Sequence, residues 1–108
     1  MKTAHLNFNA VDTLNDLNFG REVVQSQTPV LVLFWAYGCP LERTLLPLAK
    51  DIVSKHSGKF RIYKVNLDEN PFLADHFHLH ETSALLLFQE GKVVGRRLAK
   101  CTQVGAAI

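Results

Sequence analysis

The sequence predicts an α/β domain in which a central mixed β-sheet is flanked by helices on both faces. Three observations predict it. The run "PVLVLFWA" is apolar throughout and rich in branched and aromatic residues, as a strand buried on both faces requires. Strand-like and helix-like periods alternate along the chain, which implies parallel pairing through crossovers. The last two strand-like runs are separated by "QEGK", a hairpin-length turn that adds antiparallel strands.

Taken in order, residues 1–9 read as an N-terminal extension and residues 10–108 as one domain, since 108 residues allow one core and not two. Val11 to Leu14 is a short strand. "NDLNFGREVVQSQ" follows as a helix, capped by Asn15 or Asp16, with Phe19, Val23 and Val24 on one face. Val30 to Ala36 is the strand buried on both faces. From Pro40 to about Lys55 the period changes: Leu41, Leu45, Leu48, Ala49, Ile52 and Val53 form one helical face. Pro47 is expected to kink that helix by removing a backbone donor. "SGK" ends it, and Phe60 to Leu67 alternates as a strand. "DENP" opens a short helix, with Pro71 at a favoured early position. Ala84 to Phe88 and Lys92 to Leu98 form the closing hairpin, and "TQVGAAI" leaves room for a shortened C-terminal helix of about two turns.

Composition narrows the function. A hydrophobic share of 47% and a mean hydropathy of +0.03 fit a globular chain rather than a disordered one. The formal charge is only +2, and Arg96-Arg97 is the one adjacent basic pair, so neither nucleic acid nor a membrane surface is an expected partner. "MKTAHLNFNA" has no apolar signal core, and no apolar run approaches spanning length. Two cysteines, Cys39 and Cys101, are too few for a disulfide framework, so a cytoplasmic, reducing setting is expected.

"FWAYGCPLERTLLP" places Cys39 where a strand gives way to a helix, and "CPLE" has two readings. In the structural one, Cys39 is the N-cap, Pro40 the first helical residue and Glu42 the capping-box residue that bonds back to the Cys39 amide. In the chemical one, the helix N-terminus and the amides of Leu41 and Glu42 favour a thiolate, while the Glu42 carboxylate opposes it. Each effect is on the order of 1 kcal/mol, which keeps the thiol near its ordinary range. Capping accounts for Glu42 but not for Cys39, because Ser, Asp or Asn caps better. "HFHLH" (His76, His78, His80) reads as a helix end and a solvated loop, since no Cys or carboxylate set with zinc spacing accompanies it. No metal and no cofactor are expected. Phe34, Trp35, Phe72, Phe77 and Phe88 read as core or groove residues.

"LNDLNF", "PVLVLFWA", a Cys at the next helix start, Pro47, "VNLDENP" and "LLLFQEGKVV", in that order, resemble the thioredoxin family over about residues 11–100. The resemblance implies a thioredoxin-like fold with a substrate groove lined by Trp35, Gly38, Pro40, Thr82, Ser83 and Ala99. It lays the family's W-C-G-P-C motif on Gly38-Cys39-Pro40-Leu41-Glu42. Cys39 then holds the nucleophile's place and Glu42 that of the resolving Cys. Leu33 stands at the family's buried Asp, Thr82 at the Ile before its cis-proline, and Ser83 at the cis-proline itself. The peptide bond before Ser83 is expected to be trans, because a non-proline cis bond costs about 2.5–4 kcal/mol.

A dithiol reductase attacks a disulfide with one thiolate and releases the mixed disulfide with a second thiol. With Glu42 in the second place, the resemblance points to a degenerate redox site that binds protein or peptide partners through the groove without reductase activity. Two alternatives stay open. One is a monothiol enzyme using Cys39, forming mixed disulfides with protein or glutathione. The other is a reductase that pairs Cys39 with Cys101, a residue the resemblance puts on a loop bordering the groove and which otherwise reads as a small buried hydrophobe.

Overall fold

The computed structural model describes residues 11–37, 45–55, 60–79 and 82–100, the side chains of residues 99 and 100 excepted. Strand β2 (Val30–Trp35) lies at the centre of the sheet, because each of its side chains has an apolar layer to meet. Val30, Val32 and Phe34 enter one core, and Leu31 and Leu33 enter the other. Full burial of such side chains stabilises by about 1.5–3 kcal/mol each. β1 (Asp12–Leu14), β3 (Arg61–Asn66), β4 (Thr82–Gln89) and β5 (Lys92–Lys100) complete a five-stranded sheet in the order β1-β3-β2-β4-β5. β3 pairs in parallel with β1 and β2, whereas β4 pairs antiparallel with β2 and β5. The expected mixed sheet is what forms.

One face is covered by helix α1 (Leu46–Lys55), which buries Leu46, Ala49 and Val53 against Leu31, Leu33 and Leu85. Pro47 lies in the first turn of the described helix, where a missing N–H costs little, and Ala49 N donates to Leu45 O across it at 2.9 Å. The expected helix start and the turn in which a kink would show fall on residues 40–44, outside the described residues.

The other face carries α2 (Pro71–His76) and a π-helical segment, Gly20–Val24. Phe19, Phe34, Phe77 and Phe88 converge there, with neighbouring ring centroids 5.4–6.0 Å apart in tilted and edge-to-face pairs. Such pairs add about 0.5–1.5 kcal/mol beyond their area. Two expectations are corrected on this face. Val24, expected beside Phe19 and Val23, is half-exposed, because Gln25 N closes onto Gly20 O in a wide turn that leaves Val24 beside the β4–β5 turn. Phe72, expected in the core or groove, is 77% exposed: Leu73 and Ala74 take the inward positions of α2.

Asn15 begins the segment after β1 with a reciprocal cap. Its Oδ1 accepts from Leu17 N and Asn18 N at 2.9 and 3.0 Å, and its own N–H donates to Asn18 Oδ1 at 2.9 Å. Asp16 does a different task. Its Oδ1 accepts from Leu73 N at 3.1 Å, capping α2 from 57 residues away, while its N–H donates to Asn70 Oδ1 at 3.0 Å. Asn70, at the N-cap position of α2, is thereby freed to donate through Nδ2 to Asn66 O at 2.8 Å. Asp16→Ala is expected to lower stability by about 1–2 kcal/mol. Urea unfolding checks this, and a loss no larger than that of an exposed surface change such as Asp12→Ala would refute the cap.

The β4–β5 turn is set by Glu90 and Gly91 at φ 53° and 80°, the primed turn that matches strand twist. A Cβ on Gly91 would lie 2.8 Å from the Val24 carbonyl oxygen, in a backbone conformation that side chains resist. Gly91→Ala is therefore expected to cost about 2–3 kcal/mol. A thermal midpoint unchanged from wild type would show that the turn shifts without loss. From β3, Tyr63 donates to Glu22 Oε1 of the π-helical segment at 3.3 Å, and Arg21 hydrogen-bonds Glu22 Oε2 at 3.1 Å. That Arg21 bond first, and Tyr63 after it, hold the Glu22 carboxyl below its ordinary value.

Candidate functional site

The C-terminal end of β2, the N-terminal end of β4 and the C-terminal end of β5 meet at one end of the sheet. This brings together four of the residues that sequence assigned to a groove. Trp35 closes β2, Thr82 opens β4, and Ser83 pairs with Ala99 of β5. On β4, Ser83 shares a face with Leu85 and Leu87, the face covered by α1, and it is fully buried. Thr82 and Trp35 are partly buried. No peptide bond among the described residues is cis, Thr82–Ser83 included.

Leu33 sits one turn of the strand pleat inward from Trp35 and is 0% exposed among Leu31, Leu45, Leu46, Ala49 and Leu85. The cluster it packs in is apolar, with Trp35 and Ile62 at its margin. Nothing at this position can take or give a proton.

The chain leaving β2 is held by two carboxylates that sequence reasoning passed over. Tyr37 N donates to Asp68 Oδ2 at 2.8 Å, and Tyr37 OH donates to Glu69 Oε2 at 3.2 Å. Asp68 is itself positioned through its N–H, which donates to Asn66 Oδ1 at 2.8 Å. Leu67 N donates to Trp35 O at 2.7 Å, extending the β2–β3 pairing into the loop. The Tyr37 ring stands edge-on to Trp35, with centroids 5.4 Å apart. The one sequence signal for this tether is the acidic pair in "LDEN", ahead of a proline-started helix.

Cys39 is two residues beyond the tethered Tyr37. Gly38, Cys39, Pro40, Glu42, His80 and Cys101 all lie outside the described residues, so their geometry and the approach of Cys39 to Cys101 do not enter here. His76 ends α2, and His78 is exposed at φ 57°. Among the described residues no group of three or more His, Cys, Asp and Glu is arranged to hold a metal. No described helix is long and apolar enough to cross a membrane.

The family model described as Thioredoxin matches residues 10–104. The chain belongs to the thioredoxin family. Thioredoxin 1 of Nostoc sp. is 36% identical over 85 residues, 79% of this chain and 79% of that protein. Thioredoxin of Buchnera aphidicola is 32% identical over 96 residues, 89% of this chain and 88% of that protein. Among solved structures, a chain from a study of thiol resolution in yeast mitochondrial 1-Cys peroxiredoxin via glutathione and thioredoxin systems superposes with a TM-score of 0.69. It covers 95% of this chain and 97% of its own length at 18% identity, a likeness of fold alone. Leu33, the position onto which the resemblance lays the family's buried Asp, lies in the apolar cluster under α1.

Proposed function

We propose that this thioredoxin-family protein has a degenerate redox site and binds protein or peptide partners at the sheet end bearing Trp35, Thr82, Ser83 and Ala99, without dithiol reductase turnover. The observation that carries the reading is a contrast at that end of the sheet. Surface for a partner is kept, with Tyr37 64% exposed against Trp35, while the inward position behind it is the aliphatic Leu33. The sequence adds Glu42 where a resolving thiol is needed, so a mixed disulfide on Cys39 has no neighbour in the C-x-x-C position to release it. Cys39 and Glu42 are the residues on which turnover depends, and the setting is a reducing cytoplasm.

The test is insulin reduction by the full chain and by Cys39→Ser. Both are expected at the background rate. A steady rate that Cys39→Ser abolishes overturns the reading. A single-turnover mixed disulfide that waits for added glutathione identifies the monothiol alternative instead.

A further inference from the structure

Tyr37 stands two residues before Cys39, and the β3–α2 loop holds it at two points. Its N–H donates to Asp68 Oδ2 at 2.8 Å and its OH to Glu69 Oε2 at 3.2 Å, so backbone and ring tip are both fixed. The ring lies edge-on to Trp35, with centroids 5.4 Å apart. Even so, 64% of the residue is exposed. An aromatic side chain that is ordered before binding loses little freedom when a partner covers it, which favours Tyr as an interface anchor.

The groups that hold the ring are acidic. Both bonds come from uncharged donors, so Tyr37 neutralises neither carboxylate. Asp68 and Glu69 are exposed, and among the described residues neither has a cationic partner. Asp16, tied to the same loop through Asn70, adds a third carboxylate, and residues 15–18 and 66–71 include no Lys or Arg. This rim of the sheet end is thus an exposed phenol ring bracketed by negative charge. One kind of group suits both parts. A guanidinium or ammonium is attracted to an aromatic ring and to carboxylates alike. A carboxylate would be repelled by Asp68 and Glu69, and an apolar side chain would meet neither charge. We propose that Tyr37, Asp68 and Glu69 set partner specificity, selecting a protein segment that carries Arg or Lys beside the residues docked at Trp35 and Thr82. This rests on the partner-binding reading above and assigns the chemistry of the partner.

The test uses two fluorescein-labelled peptides on the full chain, identical except for Arg or Glu on both sides of a Leu-Val-Leu core. Binding is read by fluorescence anisotropy. The Arg peptide is expected to bind about tenfold more tightly than the Glu peptide, and the gap should narrow as salt is raised. Asp68→Asn and Glu69→Gln each keep an oxygen that can accept from Tyr37 and lose only the charge. With both changes the preference should fall to about twofold while the thermal midpoint stays near that of wild type. If that double variant folds poorly, Tyr37→Ala reads the same point: it should weaken the Arg peptide more than the Glu peptide, and an equal loss overturns the proposal. So does an undiminished preference in a folded double variant. Equal affinity in the wild type overturns the proposal and leaves partner binding at the sheet end standing, whereas binding of neither peptide overturns both. Steady insulin turnover that Cys39→Ser abolishes would overturn the degenerate reading without moving the peptide preference.

Discussion

Leu33→Asp is expected to destabilise the protein by about 3–5 kcal/mol at pH 7, although it restores the residue type the thioredoxin family places at this strand position. Leu33 is fully buried among aliphatic side chains. A carboxylate there is buried in an apolar cluster, and that burial raises its pKa above the unfolded value. The sign of the pH dependence follows. Below the unfolded pKa both states are protonated, and the loss is only that of a neutral polar group in an apolar site. As pH rises toward the folded pKa, the unfolded state sheds its proton first and the loss grows, levelling off above the folded pKa. Urea unfolding at pH 4 and pH 7 reads this directly. A loss below about 1 kcal/mol at pH 7 would mean that water or a donor reaches the pocket.

Glu42→Cys is expected to raise insulin reduction above the wild-type rate. The substitution supplies the thiol that releases a mixed disulfide from Cys39 and removes a carboxylate from the same helix-start motif. Cys39 should then also alkylate faster near neutral pH. Recovery should be partial, at least tenfold above background and well short of a full dithiol enzyme, because Leu33 leaves proton transfer uncorrected. Adding Cys39→Ser to Glu42→Cys should return the rate to background. If the wild type already turns over as fast as Glu42→Cys and loses that rate with Cys101→Ser, then Cys101 is the resolving thiol and the degenerate reading fails.

How much of this was legible in the sequence depends on the range over which each signal acts. β2 was legible because an uninterrupted apolar run has one good home, the middle of a sheet with two covered faces. The β4–β5 hairpin was legible because Glu90-Gly91 sits in the one kind of turn that matches strand twist. Periodicity failed at Val24 and Phe72. It reports that a side chain is apolar, not that an inward place remains for it once Val23 or Leu73 has taken one. The Asp16 cap on α2 was illegible, since its donor lies far along the chain and only the folded topology brings the two together. The same holds for Asp68 and Glu69, which grip Tyr37 across the β2–β3 pairing. At the candidate site, Cys39, Glu42 and Leu33 are read from the motif and the resemblance; the first two lie outside the described residues, and the fold adds the apolar cluster in which Leu33 is buried.

The bonds between Asp16, Asn70 and Leu73 have a consequence for how the molecule opens. Asp16 N reaches Asn70, Leu73 N reaches Asp16, and Asn70 reaches back to the end of β3 at Asn66. Two of these bonds join segments more than 50 residues apart, and the third ties Asn70 to the end of β3. Unwinding the start of α2 therefore also costs its bond to the turn after β1. Short helices at the surface ordinarily exchange their amide hydrogens through small local openings. The amides of Asp16 and Leu73 are therefore expected to exchange together, with the six-residue helix tied to the turn after edge strand β1.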